Sequence, residues 1–272
     1  MPRFEGRSVL VTGAARGQGR SHAIHFAREG ADIAICDICD DIGTVPYGLS
    51  SESDLAETVE LCEAEGARVV SERVDVRDWG QVEAFVGRAA SELEKIDVAV
   101  ANAGIFGHEP IAEMSPERFA DMVDVNLKGV FHTIRAVLPG MKERQYGRII
   151  ATGSVCSVIG FPNVGHYVAA KHGLAGLIKT VAKEVGADGI TANYVVPNGV
   201  GTAMIRNQPT YELVSPDNPT EEEAIPVWAA MNAIPKPWVE PEDVSKVVLF
   251  LASDDAQYTT GSAVKVDLGA TA

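Results

Sequence analysis

The chain has 272 residues, 46% of them hydrophobic, with 23 basic and 38 acidic side chains. That much apolar material can form the core of one large domain, which excludes a disordered or fibrous chain. The formal net charge of −15 disfavours binding to nucleic acid or to anionic lipid, so the expected partners are small molecules or further copies of the chain.

Short apolar runs rich in β-branched residues recur along the chain and predict buried strands. They lie at 8–12, 32–36, 68–74, 97–102, 147–152, 191–196 and 263–267. Helical patterns alternate with them at about 17–29, 51–65, 78–93, 115–142, 165–186 and 241–252. This alternation predicts an α/β fold: a single domain over residues 1–272, with a doubly wound, seven-stranded parallel sheet and helices on both faces.

The turn after the first strand is rich in glycine, and a helix follows it. Glycines 13, 17 and 19 allow a tight turn with positive φ and let the backbone approach a pyrophosphate, whose charge is favoured at a helix N-terminus. The spacing alone is weak evidence, because turns collect glycine for conformational reasons as well. In this strand-turn-helix context it predicts a dinucleotide site, lined at the turn by Gly13, Arg16, Gly17, Gln18 and Gly19.

Asp37 ends the second predicted strand, where a carboxylate can accept hydrogen bonds from the ribose hydroxyls of a dinucleotide. The same charge would repel a 2′-phosphate, and residues 36–66 contain nine acidic residues without one Lys or Arg. Arg16 instead favours NADP, because a cation at that position can bind the 2′-phosphate. The acidic surroundings of Asp37 outweigh one long side chain, and we expect NAD rather than NADP.

The connection between Asp37 and Asp75 is about ten residues longer than a two-layer crossover with an ordinary loop needs. Gly43, Pro46 and Gly48 mark turns within it, so residues 38–52 are predicted to form an extra loop. A tolerated surface insertion is the simpler interpretation. Because the loop begins at the residue expected to hold the ribose, we favour a flap that folds over the adenine end of the cofactor.

Three residue types that suit proton transfer follow the fifth predicted strand. Ser154 comes first, and Tyr167 and Lys171 lie at i and i+4 on the next helix, so they share one face. A tyrosine with its ordinary pKa of about 10 is a poor base at neutral pH. Lys171 and the positive ring of an oxidised nicotinamide would stabilise the phenolate, and Ser154 would hydrogen-bond the substrate oxygen.

Ser154, Tyr167 and Lys171, together with TGAARGQG at the first turn, resemble the short-chain dehydrogenase/reductase family over essentially the whole chain. The insertion at 38–52 and the segments GQGRSHA and HYVAAKHG are similar to the mycofactocin-associated branch of that family, which includes carveol dehydrogenases. The resemblance implies a Rossmann fold, a homotetramer and NAD-dependent interconversion of a hydrophobic secondary alcohol and its ketone. It also implies NAD that does not exchange freely, with mycofactocin as its redox partner.

The resemblance assigns roles to further residues. Asn126 is expected to bend its helix and to hold a water linked to the catalytic lysine, which completes a catalytic set with Ser154, Tyr167 and Lys171. Cofactor contacts are expected from Ile38, Asp37, Asp75, Val76, Asn102, Ala103, Gly104, Tyr167, Lys171, Pro197, Gly199, Val200 and Thr202. Substrate contacts are expected from Ser154, Cys156, Phe161, Tyr167, Asn198 and Met204.

The segment 198–240 breaks the alternation of strands and helices. Its six prolines, Pro216 among them, are interleaved with apolar and aromatic residues that include Trp228 and Trp238. Such an insertion at the carboxyl end of a strand is where open parallel sheets bind ligands. We therefore predict a substrate-binding lid over a mostly apolar pocket.

No apolar run approaches the roughly 20 residues that a membrane-spanning helix needs, and the N-terminal stretch contains no cleavable signal region. Four scattered cysteines do not make a disulfide framework, and Cys36-x-x-Cys39 lacks a second ligand pair for a metal. We expect a cytoplasmic protein without a metal site.

Two alternatives to the leading interpretation stay open. One is an ordinary member of the same family that uses freely exchanging NAD(H), such as a hydroxysteroid or 3-oxoacyl reductase. The other is an NAD-binding sensor without turnover, because a fold does not determine a function.

Overall fold

The computed structural model describes residues 2–215, 217 and 219–272. Pro216, counted above among the prolines of the predicted lid, lies outside the described residues.

The described residues form one parallel sheet of seven strands, which confirms the predicted fold class. The strands are β1 Ser8–Thr12, β2 Asp32–Asp37, β3 Val69–Arg73, β4 Val98–Ala101, β5 Gly147–Thr152, β6 Ile190–Pro197 and β7 Ala263–Val266. Their order in the sheet is β3-β2-β1-β4-β5-β6-β7, so the winding reverses between β1 and β4. A crevice at the carboxyl ends of the strands is expected at this switch point.

Helices cover both faces of the sheet, and those expected from the sequence begin and end close to the predicted positions, whereas two further short helices lie within the segment 198–240. They are α1 Gly17–Arg28, α2 Glu52–Ala64, α3 Trp79–Glu92, α4 Pro116–Val123, α5 Gly129–Glu143, α6 Gly165–Val185, α7 Gln208–Val214, α8 Glu221–Ala230 and α9 Pro241–Ala252. Side-chain caps mark several of the starts: Ser51 and Thr220 each make a capping box, and Ser115 caps α4 with a proline at the next residue.

The central strand β1 shows why the strands read as continuous apolar runs. Successive side chains of a strand point to opposite faces, and each face of this sheet packs against helices. Leu10 joins one buried cluster, whereas Val9 and Val11 join the cluster on the other face, and all three are fully buried.

The prediction of one continuous helix over 115–142 is wrong in one respect. A π-helical turn, Asp124–Lys128, separates α4 from α5. The Asn126 amide nitrogen donates to the carbonyl oxygens of Met122 (3.2 Å) and Ile105 (3.0 Å), so the side chain bonds to its own helix and to the loop after β4. Insertion of a side chain into the helical hydrogen-bond ladder is a common cause of such a bulge.

The segment predicted as a proline-punctuated lid contains the two short helices α7 and α8 within its described residues. Asn207 caps α7. At the start of α8 the Thr220 hydroxyl accepts from the Glu223 backbone N–H, and the Glu223 carboxylate accepts from the Thr220 backbone N–H. Residues 38–51 of the insertion have no regular secondary structure and Glu52 begins α2, but Val45 and Leu49 pack against the buried cluster on one face of the sheet.

Candidate active site

A cleft of about 490 Å³ opens at the carboxyl ends of the strands, around the switch point between β1 and β4. Its walls contain nearly every residue that the sequence analysis assigned to cofactor or substrate. These are Gly13, Arg16, Gly17, Gln18, Asp37, Ile38, Asp75, Val76, Asn102, Ala103, Gly104, Ser154, Cys156, Phe161, Tyr167, Lys171, Pro197, Asn198, Gly199, Val200, Thr202 and Met204. Asn126, expected in the catalytic set, and Thr152, for which no role was predicted, also line the cleft.

The glycines of the first turn differ in what they do. Gly13 and Gly17 have positive φ and line the cleft, and a Cβ on Gly13 would lie 2.6 Å from Cα of Ala103. Gly19 instead lies beneath the turn, where a Cβ would collide with the carbonyl oxygen of Gly13. Gly19 therefore allows α1 to pack tightly under the loop and is not among the residues that line the cleft, and its expected contact with the cofactor stays a prediction.

The side chain of Asn102 holds the strand ends together. Its amide nitrogen donates to the carbonyl oxygens of Thr12 and Gly13, both at 3.1 Å, and its amide oxygen accepts from the Thr152 hydroxyl at 3.0 Å. These bonds join the carboxyl ends of three neighbouring strands, so Asn102 shapes the glycine turn as well as lining the cleft.

The Asp37 carboxylate is fixed on both oxygens. One accepts a hydrogen bond from the Ala15 backbone N–H (2.9 Å), and the other accepts from the Ser50 hydroxyl (2.6 Å). A carboxylate has about four acceptor positions, so the group can still accept from the hydroxyls of a ribose. An open turn of glycines at a helix N-terminus with a fixed acid at the end of β2 fits the adenosine half of a dinucleotide.

At the other end of the cleft, α6 carries Tyr167 and Lys171 on its buried face. The Lys171 ammonium donates to the carbonyl oxygen of Thr152 (2.6 Å) at the end of β5 and lies 5.5 Å from the centroid of the Tyr167 ring. Ser154, two residues beyond β5, has its hydroxyl oriented by the Cys156 backbone N–H, from which it accepts a bond of 3.2 Å.

Burial dominates the electrostatics of this cluster. It raises the pKa of the Tyr167 phenol well above the ordinary value, while a hydrogen bond with Ser154 acts in the opposite direction. Burial also lowers the pKa of Lys171 to about 8. The protein's own groups therefore hold the phenol protonated, and an acidic Tyr167 requires a further positive charge in the cleft.

Asn126 lies next to this cluster on the π-helical turn. Its amide oxygen is buried and has no hydrogen-bond partner among the described residues, and a Cβ on Gly104 would lie 2.8 Å from it. The expected water link between Asn126 and Lys171 stays a prediction.

Tyr47 lines the cleft although the sequence did not predict it as a residue of the site. Its hydroxyl oxygen accepts a hydrogen bond of 3.1 Å from the backbone N–H of Phe106, in the loop after β4, and both residues line the cleft. The Phe106 ring in turn packs edge-on against Tyr167, with 5.1 Å between the ring centroids. The sequence of the insertion indicates turns, but it does not reveal the hydrogen bond at Tyr47, because Phe106 lies 59 residues further along the chain.

The lid contributes Trp228, Met231 and residues of α7 to the cleft. Trp238, which we expected in the pocket wall, packs behind Trp228 with 5.8 Å between the ring centroids, and its indole N–H donates to Glu240. The Asn198 side chain donates from its amide nitrogen to Oδ1 of Asn232 (2.7 Å), and this bond ties the end of β6 to the lid.

In the described part of the chain, no three His, Cys, Asp or Glu side chains come together as a metal site requires. A search of the same residues for helices able to cross a membrane likewise finds none. The four cysteines are free and buried.

A doubly wound sheet, with a glycine turn and a fixed acid at one end of its crevice and a Ser/Tyr/Lys cluster at the other, defines a dinucleotide-dependent oxidoreductase. A family model described as enoyl-(acyl carrier protein) reductase matches residues 13–271. The chain is 41% identical to the (−)-trans-carveol dehydrogenase of Rhodococcus erythropolis over 275 residues, which cover 100% of this chain and 99% of that protein.

Two solved structures are similar over almost the whole chain. Carveol dehydrogenase from Mycobacterium avium in complex with NAD superposes with a TM-score of 0.97 at 40% identity, covering 99% of each chain. A short-chain dehydrogenase from Mycobacterium paratuberculosis bound to NAD gives 0.92 at 35% identity, again covering 99% of each chain. The chain belongs to the short-chain dehydrogenase/reductase family, which confirms the resemblance read from its motifs.

Proposed function

We propose that this NAD-dependent dehydrogenase/reductase interconverts a hydrophobic secondary alcohol and its ketone. The enzyme class and the cofactor expected from the sequence are confirmed, because the family consists of dehydrogenases and reductases and two similar structures hold NAD. The observation that carries the proposed chemistry is the burial of Tyr167 and Lys171 in the same cleft as the glycine turn and Asp37.

When bound, NAD supplies the hydride-accepting ring and a positive charge. Tyr167 has the position of the group that exchanges the hydroxyl proton of the substrate, because its phenol lines the cleft and has Ser154 as a neighbour. Ser154 holds the substrate oxygen by a hydrogen bond. Lys171, fixed to the carbonyl of Thr152, places an ammonium beside the phenol and favours its ionised form.

The walls around this cluster favour an apolar substrate. Phe106, Phe161, Met204, Trp228 and Met231 surround the cleft on the lid side. An apolar lining with a few convergent polar groups suits a hydrophobic alcohol of terpenoid size. The carveol dehydrogenases among the relatives are consistent with such a substrate.

The test is oxidation of a panel of hydrophobic secondary alcohols, with NADH absorbance or an artificial electron acceptor as the readout. Tyr167→Phe is expected to lower kcat by about 10²–10⁴-fold while the protein still binds NAD. Tyr194→Phe, in the buried strand β6, is the matched control and should keep its activity. Undiminished turnover by Tyr167→Phe would refute the assigned role.

We also propose that the NAD does not exchange freely and that mycofactocin serves as the redox partner. The insertion bonds to Phe106, which lines the cleft, and to Asp121 on α4, and these contacts support a covering flap. Dialysis of the purified protein should leave the nucleotide bound, and added NAD as the sole oxidant should sustain little turnover. Loss of the nucleotide on dialysis, with steady turnover on added NAD, would instead identify an ordinary reductase, which the matching acyl-carrier-protein reductase model favours.

A cytoplasmic location and a homotetramer complete the proposal. The four free, buried cysteines are consistent with a reducing compartment. Phe119 on α4 and Phe131 on α5 are each 42% exposed, which is consistent with packing of these helices against another subunit. Light scattering of the purified protein measures the assembly directly.

A further inference from the structure

The end of the insertion bonds both residues on which the choice between NAD and NADP depends. The Ser50 hydroxyl donates 2.6 Å to Oδ1 of Asp37, the acid expected at the ribose. The Arg16 guanidinium, the one cation of the glycine turn that could serve a 2′-phosphate, donates 2.6 Å to the carbonyl oxygen of Gly48. Ser50 thus holds the acid in place, whereas the Gly48 carbonyl oxygen draws the cation toward the insertion.

We propose that the turn at residues 48–50 is a specificity element that enforces the use of NAD: Ser50 fixes Asp37 at the ribose position, and the Gly48 carbonyl holds Arg16 away from it. This inference rests on the proposed NAD-dependent function and adds the residues that set its cofactor preference. It gives the insertion a role beyond covering the cleft.

Ser50 fixes Asp37 because the serine itself cannot move far. Ser50 is buried, and the next residue, Ser51, starts α2 with a capping box to Asp54. On the other side, the Leu49 N–H donates 2.7 Å to Oδ1 of Asp41. A hydroxyl held between these anchors gives the carboxylate one orientation, and hydrogen bonds to an ionised acceptor are about twice as strong as neutral ones.

Arg16 is withdrawn by a bond that any 2′-phosphate would have to break. The residue is the N-cap of α1, next to the positive-φ Gly17, so its backbone position is fixed at the edge of the cleft. Its long side chain crosses to the insertion and donates to the Gly48 carbonyl oxygen. The pKa of Asp54 at the start of α2 is lowered chiefly by hydrogen bonds from Ser51, and the attraction of Arg16 adds to this effect. A guanidinium free of these partners would be well suited to a phosphate.

The test is direct binding of NAD and NADP by titration calorimetry to protein from which bound nucleotide has been removed. Ser50→Ala is expected to reduce the preference for NAD over NADP by about tenfold, because the Asp37 carboxylate loses its orienting bond. Ser50→Thr keeps a hydroxyl and should restore most of the preference. Ser53→Ala, which removes an exposed hydroxyl bonded only to Ser51 among the described contacts, should leave it unchanged.

Arg16→Gln separates the two possible roles of the cation. If the Gly48 carbonyl holds Arg16, the variant weakens NAD and NADP alike and their ratio stays within about twofold of wild type. A selective loss of NADP affinity would show that Arg16 serves the 2′-phosphate and would overturn this half of the inference.

The remaining outcomes are equally decisive. Equal preference in Ser50→Ala and wild type, with NAD still bound well, would overturn the role of the turn and leave the proposed function intact. Wild-type protein that bound neither dinucleotide would overturn both.

Discussion

The Lys171 ammonium is anchored to the carbonyl oxygen of Thr152 by a hydrogen bond of 2.6 Å, so the end of β5 determines where the charge of α6 lies. The lysine is 3% exposed, and burial lowers its pKa to about 8. An ammonium with a lowered pKa is held in place beside Tyr167 by a neutral acceptor. The charge of Lys171 therefore remains available to stabilise the phenolate and is not neutralised by a partner acid.

The lowered pKa of Lys171 predicts a specific dependence of stability on pH. Between pH 8 and the ordinary lysine value near 10.5, the unfolded chain binds a proton that the native protein has released, so the free energy of unfolding rises with pH. Over that range wild type should gain about 3 kcal/mol relative to Lys171→Met, since each unit of pKa shift is worth about 1.4 kcal/mol.

Denaturant unfolding at several pH values between 7 and 10.5 checks this expectation. Lys179→Met, at an exposed position of the same helix, is the control and should keep the wild-type slope. If Lys171→Met showed the same pH dependence as wild type, the lysine would not titrate in the native protein as its burial requires.

The hydrogen bond at Tyr47 predicts that the insertion slows the release of the cofactor. Tyr47→Phe leaves the half-buried backbone N–H of Phe106 without its acceptor, at a cost of about 1–3 kcal/mol when such a group is buried. If this bond must break before the insertion opens, NADH release should become roughly tenfold faster, since about 1.4 kcal/mol corresponds to a factor of ten.

Stopped-flow fluorescence of NADH release after a chase with excess NAD measures the effect. Tyr258→Phe, whose ring is 93% exposed at the start of the turn before β7, serves as the control. Unchanged release from Tyr47→Phe would mean that the insertion does not limit the exit of the cofactor.

The sheet and the catalytic cluster were predictable from the sequence because the signals involved are local. Buried strands read as apolar runs, and the strand-to-helix order determines which strand ends meet at the crevice. Tyr167 and Lys171 share a face because they are four residues apart on α6, and Ser154 follows the strand that precedes it. None of these relationships requires knowledge of a distant contact.

The contacts of the insertion and the helices of the lid were not predictable in the same way. The hydrogen bond between Phe106 and Tyr47 joins residues 59 positions apart, and the one between Arg16 and Gly48 joins residues 32 positions apart. No periodic pattern in the sequence predicts either bond. Helix α8 is not evident from the sequence because Pro226 lies inside it and suggests a break, although Thr220-x-x-Glu223 is a readable capping box. The bulge at Asn126 depends on a carbonyl of another loop, so sequence periodicity alone gives one unbroken helix.

The bond between Asn198 and Asn232 predicts a coupling between the sheet and the lid. Asn232 is buried and also donates to the carbonyl oxygens of Trp228 and Lys236, so it fixes the end of α8. A double-mutant cycle with alanine at both positions should give a coupling energy of about 1 kcal/mol in the free energy of unfolding. Both single variants should raise KM for the alcohol more than they lower kcat, since neither side chain belongs to the Tyr167 cluster. Additive effects in the cycle would show that the bond does not form.

The geometry at Gly13 predicts that a larger residue at this position disturbs the glycine turn. Its φ of +66° is strained for other residues, and a Cβ would lie 2.6 Å from the backbone Cα of Ala103, which cannot move without the loop after β4. Gly13→Ala should therefore lower the free energy of unfolding by at least about 1–3 kcal/mol from backbone strain alone and should weaken NAD binding through displacement of the turn. Gly43→Ala in the insertion is the matched control, because its φ is not positive and its Cβ would meet open space. Thermal unfolding and NAD titration of the two variants distinguish the positions: a loss of stability in Gly43→Ala as large as that in Gly13→Ala would show that the close approach of β1 and β4 is not the cause.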